Sequence, residues 1–286
     1  MGPDNPIRKR EYGAVWARDN TTTIFQYRAL LDDGTPWNEW DPERIERGLD
    51  RVPIAVLPLG HDGKPRTDWL YALAMDHGIK DPFALNVFAV SPSDPSRTIY
   101  HVYNFEQVGM YARRIATLLL GAGIDKNLDA AHSKPGGVIG ALGEWPAGMV
   151  SDVYQQGEAQ LLELSQVYGI KILPAEQKGK LSGIELVNSD LVDGRIKILK
   201  GSALAQQLSD LQWVKDEYGF PKEDKAQANH SSDTLIYGRR LLAHLFDQAI
   251  DKPREQRRDS FADPMGLDRD RLDVPKGEFD FLFGDR

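Results

Sequence analysis

The chain has 286 residues, 41% hydrophobic and 27% charged, enough to bury one substantial core and incompatible with wholesale disorder. It has no cysteine, which excludes disulfides, thiolate zinc sites and a cysteine nucleophile, and no apolar run approaches the ~20 residues a membrane helix needs. A formal net charge of −8 argues against a surface that coats nucleic acid electrostatically, leaves room for a small local basic rim, and suits a site that collects divalent cations.

The opening "MGPDNPIRKR" lacks an apolar core after its charges and does not read as a secretory signal. The next stretch is irregular and aromatic-rich. Only "DPERIERGLDR" has a helical look there, with Asp41 as N-cap and Pro42 at the first helical position. Residues 1–55 are therefore expected to be an arm or linker. From Leu70 the pattern sharpens: "LYALAMD" and "FALNVFAVS" are apolar runs separated by "HGIKDP", and "TIYHVYNFE" alternates with period two. These predict three consecutive antiparallel strands. "EQVGMYARRIATLLLGAG" has helical spacing and ends in glycines.

A fourth strand is expected at "GGVIGA", then a helix over "SDVYQQGEAQLLELSQVYG" capped by Ser151, and a fifth strand at "IKILPA". A small helix, a strand "RIKILKG" and a helix "SALAQQLSDLQWV" follow, and the last strong element is the amphipathic helix "HSSDTLIYGRRLLAHLFDQAI". Three antiparallel strands followed by alternating helices and strands predict an α/β fold: a ribonuclease H-like mixed sheet flanked by helices, over residues 56–250. Beyond it, 251–286 mixes charge, Pro and Gly and ends in "FDFLF", the composition of a flexible tail with one sticky motif.

Carboxylates carry the chemistry. Clustered acids holding two metal ions can cut a phosphodiester, and Mg²⁺ and Mn²⁺ prefer oxygen ligands, so Asp and Glu suffice. Asp76 ends the first strand, and Asp81 opens the next before Pro82, placed to face the same spot. Asp233 stands in the first turn of the last helix, with His230 three residues earlier placed to hydrogen-bond a phosphate or metal-bound water. The expected fourth strand ends at Gly140-Ala141, and Ala141 can ligate nothing. Glu144 is the nearest acid, and Asp152 lies further on.

Taken together, "MDHGIKDPFA", "VIGALGEWPAGM", "YGIKILPAEQKGK", "LVDGRIKILKGSALAQQL" and "NHSSDTLIYGRR" resemble, in order, the C-terminal nuclease domain of the large terminase subunit of tailed bacteriophages. "RKREYGAVW" resembles the stretch joining its ATPase to its nuclease. The likeness implies a nuclease that cuts concatemeric double-stranded viral DNA with two Mg²⁺ or Mn²⁺ ions, acting in the host cytoplasm at the procapsid, with portal and small terminase subunit as partners. Asp76 matches the first-strand ligand of that family, Asp233 the ligand on the last helix and Asp81 an auxiliary acid. Ala141 falls where the family has a second-strand aspartate. Either that acid has been replaced and the protein inactivated, or Glu144 compensates, or the strand register is different. Lys178, Lys180, Arg195, Lys197 and Lys200, with Arg239 and Arg240, are candidates for a basic rim at DNA. "LVNSDLVDGRIKI" resembles a hairpin-like insertion, and the tail is expected to dock on the portal. "GHDGKP" does not satisfy G-x-x-x-x-G-K-[ST], so the packaging ATPase domain is expected to be absent. The rival readings are a non-catalytic DNA- or portal-docking module and a junction-resolvase-like nuclease.

Overall fold

The computed structural model describes residues 22–42, 44–47, 52–59, 69–78, 81–121, 136–152, 157–176, 179–215, 217–218, 221–224 and 226–251. The region expected to be a flexible tail lies beyond them, apart from its first residue, and so does Lys178. In chain order the elements are β1 (Glu39–Trp40), β2 (Arg44–Arg47), β3 (Val52–Ala55), β4 (Leu70–Asp76), β5 (Phe83–Val90) and β6 (Ile99–Gln107). Then come α1 (Ala112–Leu120), α2 (Gly137–Leu142), β7 (Gly148–Ser151), α3 (Gly157–Tyr168), β8 (Leu173–Pro174) and α4 (Lys180–Val192). The last are β9 (Ile196–Leu199), α5 (Ala203–Asp210), β10 (Trp213–Lys215), β11 (Pro221–Glu223) and α6 (His230–Asp251).

The main sheet has the order β1-β9-β6-β5-β4-β7-β8. β4 runs antiparallel to β5, and β5 to β6, while β7 joins β4 in parallel and β8 joins β7 in parallel. Three antiparallel strands with the fourth and fifth added beside the first is the ribonuclease H-like arrangement, so the mixed-sheet expectation holds.

Alternation along the strands divides the core in two. Leu73 and Met75 of β4 join Ile115, Leu119, Ile139 and Leu164 on one face, under α1, α2 and α3. Ala72 and Ala74 face the other way, with Phe88, Ile184, Leu235 and Leu242, under α4 and α6. Small residues let α6 approach closely: a Cβ on Gly238 would stand 2.6 Å from the Phe88 ring and 3.5 Å from Ala74 Cβ. Ile24, Phe25 and Tyr27, expected to lie in an arm, are buried in this second core of the chain itself.

Four sequence expectations fail. "DPERIERGLDR" contributes β2, paired antiparallel with β3, because cross-strand partners outweigh a weak helical propensity. "GGVIGA" belongs to α2, not to a strand, and the fourth strand is β7, further along the chain. Ser151 caps no helix; it ends β7, and α3 begins at Gly157. The expected hairpin at 186–198 is the second half of α4 followed by β9. A hairpin does exist, but it is β10 with β11.

Candidate functional site

The correct fourth strand changes the site. In the parallel pair, Met75 lies opposite Ser151, so the next residues, Asp76 and Asp152, leave adjacent strand ends together. Their backbones are about 5 Å apart, the spacing of neighbouring strands. Both follow the parity of Ala74 and Val150, which belong to the α6 side of the core, so both side chains are directed to that face. One step the other way, Asp76 pairs with Ala84 and Ala84 with Glu106. Three acids therefore lie in a row across one edge of the sheet.

α6 closes this row from above. His230 Nδ1 is 2.8 Å from Asp76 Oδ2, which fixes the Asp76 rotamer. That hydrogen bond raises the His230 pKa, against burial and with further help from the charges of Asp76, Glu106 and Asp81. Asp233, one turn into α6, is held by Lys180, whose Nζ is 2.7 Å from Oδ1 and 3.0 Å from Oδ2. The same ammonium reaches Glu223 Oε2 of β11 at 2.8 Å. Burial pushes the Asp233 pKa up to about 6; Lys180 pulls it down, and Glu223 and Asp76 add to the rise. The charged form of this buried carboxylate is thus disfavoured, a condition that a cation beside it relieves. Burial alone would lower the Lys180 pKa, and Asp233 and Glu223 more than offset it. A pocket of about 190 Å³ opens here, lined by Asp152, Glu176, Lys180, Asp233, Tyr237 and Arg240 among others.

A buried polar network sets the first turn of α6. Asn86, 0% exposed in the middle of β5, donates to Thr234 Oγ1 at 2.5 Å and accepts from His101 Nε2 and Asn104 Nδ2 at 2.8 Å each. Asn104 also donates to Ser231 Oγ at 3.0 Å. Gln207 of α5 accepts from the Ser232 N–H at 3.0 Å and donates to Glu106 at 2.8 Å, and Ser231 Oγ donates to the same Glu106 oxygen. Beneath Asp152, His77 Nδ1 meets Ser151 Oγ at 2.5 Å, while its Nε2 has no hydrogen-bond partner among the described residues. Burial lowers the His77 pKa to about 4, against the charge of Asp152.

The sequence-predicted residues divide accordingly. Asp76, Asp233, His230 and Lys180 come together, and Asp81 is close enough to act on His230 by charge. Ala141 does not belong here: it is 0% exposed, inside α2 and packed in the other core. It therefore marks no missing acid. Glu144 precedes β7, where Ala147 N–H bonds Tyr71 O, so it lies toward the opposite end of β4 from Asp76. Arg195 and Lys197 sit where β9 pairs with the start of β6, also away from Asp76. Arg195 is paired with Asp190 and Asp193, and Lys197 donates to Trp37 O and lies over its ring. Lys200 pairs with Asp41, and Arg239 pairs with Asp190. Sequence reasoning undervalued Asp152 and missed Glu106 and Glu223. "MVSD" repeats the pattern of "LAMD", an apolar run stopped by an acid, and that was the available signal.

The donor set is hard carboxylate oxygen from the sheet edge and α6, with a neighbouring imidazole and no sulfur, which fits Mg²⁺ or Mn²⁺. Asp76, Asp152 and Asp233 would hold such an ion. Among the described residues no three Asp, Glu or His side chains already form a ligand cluster.

No protein-family model and no curated protein matches the chain. Among solved structures it is similar to a large terminase from a thermophilic bacteriophage, at 17% identity and TM-score 0.44, covering 63% of this chain. The chain spans only 41% of that protein's length. It is also similar to the large terminase nuclease from thermophilic phage G20c with bound magnesium, at 16% identity and TM-score 0.49, covering 76% of this chain and 96% of that one. The nuclease domain of the large terminase from bacteriophage SPP1 with bound Mn aligns at 16% identity and TM-score 0.41, over 63% and 90%. At these identities the likeness concerns fold, and the fold assignment rests on the strand order.

Proposed function

We propose that the chain is a metal-dependent DNA endonuclease of the kind that processes concatemeric double-stranded viral DNA. The observation that carries this reading is the pairing of Asp76 with Asp152 on adjacent parallel strand ends, facing Asp233 and His230 on α6. Two bound Mg²⁺ or Mn²⁺ ions would supply charge neutralisation of the phosphodiester and an activated water. The chain's own groups have separable tasks. Asp76 and Asp152 present carboxylates from a rigid sheet edge, which fixes their geometry better than a loop would. His230 holds Asp76 in one rotamer at 2.8 Å. The Asn86 network fixes the start of α6, so that Asp233 faces the sheet. Arg240, whose guanidinium donates to Gly179 O at 2.7 Å, holds the start of α4 beside the pocket.

Resemblance extends the reading to a packaging ATPase domain elsewhere in the full protein, to portal and small terminase subunit as partners, and to the procapsid in the host cytoplasm as the place of action. With Asp152 at the strand end, the idea of an inactivated variant loses its basis. Incubation of supercoiled plasmid with the chain and Mn²⁺ tests the reading: nicked and linear products are expected, and EDTA, Asp76→Asn and Asp152→Asn should each abolish them. Cleavage that survives both substitutions would refute it.

A further inference from the structure

The Asp233 carboxylate already has a cation, and the chain itself supplies it. Lys180 Nζ stands 2.7 Å from Asp233 Oδ1 and 2.8 Å from Glu223 Oε2, between acids of α6 and β11. This differs from a loose surface pair in how it is held. Lys180 is the first residue of α4, and Gly179 before it takes the left-handed conformation, φ 71°, with its carbonyl accepting from Arg240 of α6 at 2.7 Å. Gly183 keeps α4 close to α6: a Cβ there would lie 2.5 Å from Ile236. The Asn229 amide donates to Glu223 at 3.1 Å and to Asp233 at 3.4 Å, holding the same two acids together. Helix start, helix contact and hairpin thus converge on one ammonium.

We infer that Lys180 is an internal counter-cation of the site, one that must leave Asp233 before a divalent ion can bridge that acid to Asp76 and Asp152. The inference rests on the metal-dependent reading above and adds an order of loading. An ammonium and a divalent ion cannot share one carboxylate at close range without strong repulsion in a partly buried pocket. The sheet edge, where His230 and not Lys180 is bonded to Asp76, takes the first ion. The second competes with Lys180, so the lysine suppresses full loading until something else draws it away; a DNA phosphate entering the pocket has the required charge.

Mn²⁺ titration of the full chain by calorimetry, with free ion followed by electron paramagnetic resonance, tests this without reference to cleavage. Lys180→Gln and Lys180→Met are expected to tighten the weaker Mn²⁺ step by on the order of tenfold or more, and Lys180→Arg, which keeps the charge, to bind like the wild type. A merely structural lysine would give weaker binding when removed. Wild-type-like or weaker binding in both neutral variants overturns the inference while leaving the nuclease reading in place. Absence of Mn²⁺ binding by every form overturns the nuclease reading, and the loading order with it.

Discussion

Ala141 is fully buried against apolar neighbours in α2, so Ala141→Asp places a carboxylate where nothing can pair it. That change should cost about 3 kcal/mol or more, seen as a lower urea midpoint, and should create no metal affinity. Asp152→Asn, partly exposed at the strand end, should leave the midpoint within about 1 kcal/mol of wild type while removing Mn²⁺-dependent cleavage. The opposite pattern would move the second acid back to the neighbourhood of residue 141. His101 offers a further residue-level test. Burial holds its pKa near 3, against an ordinary value of 6.5, with Nε2 donating to Asn86 and Nδ1 unpartnered among the described residues. The unfolded chain therefore binds the proton first as pH falls below about 6.5, and native stability declines from there toward pH 3. Between pH 7 and pH 5 this one histidine should account for about 2 kcal/mol of lost stability. Urea unfolding at the two pH values should show a decline smaller by that amount in His101→Gln, which keeps a donor for Asn86.

At the scale of elements, α6 is the part on which site and fold both depend. It packs over β4, β5 and β7 through Ala72, Ala74 and Gly238, so its height above the sheet is set by the absence of side-chain volume. Gly238→Ala inserts a methyl into the Phe88 ring, an overpacking cost of about 1–3 kcal/mol, partly offset by about 1 kcal/mol of helix propensity. A net loss of stability is expected by denaturant titration, together with weaker Mn²⁺ binding as Asp233 is lifted from the sheet edge; an unchanged or raised midpoint would show that the contact is slack. The elements that frame this helix were legible in the sequence where they were long and regular. β4, β5, β6 and α6 each carry seven or more residues of unbroken pattern, and that pattern marks their ends to within a residue or two. The errors fell on short pieces. Val138 and Ile139 between glycines fit a strand or a helix equally, and tertiary packing chose the helix. β7 has four residues after a Trp-Pro turn, too few to show a period, so in the sequence Asp152 reads as helical. The Asn86 network was invisible for a different reason: its members are 148 residues apart at the widest, and no local pattern links them.

Over the whole molecule, charge opposes the proposed substrate. A net −8 is combined with a row of acids at the site, and two of the cations expected to form a rim, Arg195 and Lys197, are spent on Asp190, Asp193 and Trp37 at the other end of the sheet. Lys180 is committed to Asp233 and Glu223, so few described cations at the site end are left to neutralise phosphates. Binding to duplex DNA must then come chiefly from divalent ions on the acids, and not from counterion release by a basic face. Two consequences can be measured by fluorescence anisotropy with a short labelled duplex. In EDTA at about 0.1 M salt, where the Debye length is about 10 Å, binding should be undetectable. With Ca²⁺, which fills oxygen sites without rapid cleavage, binding should appear, and log K should fall with log salt at a slope no steeper than about −3, the mark of few phosphate contacts. Asp76→Asn should remove the Ca²⁺-dependent part, since it takes a ligand from the sheet edge where the proposed ion would sit. Tight binding in EDTA with a steep salt slope would place the DNA on a basic surface away from the carboxylate edge, and would turn that edge from the anchor of the substrate into a repulsive barrier that it has to overcome.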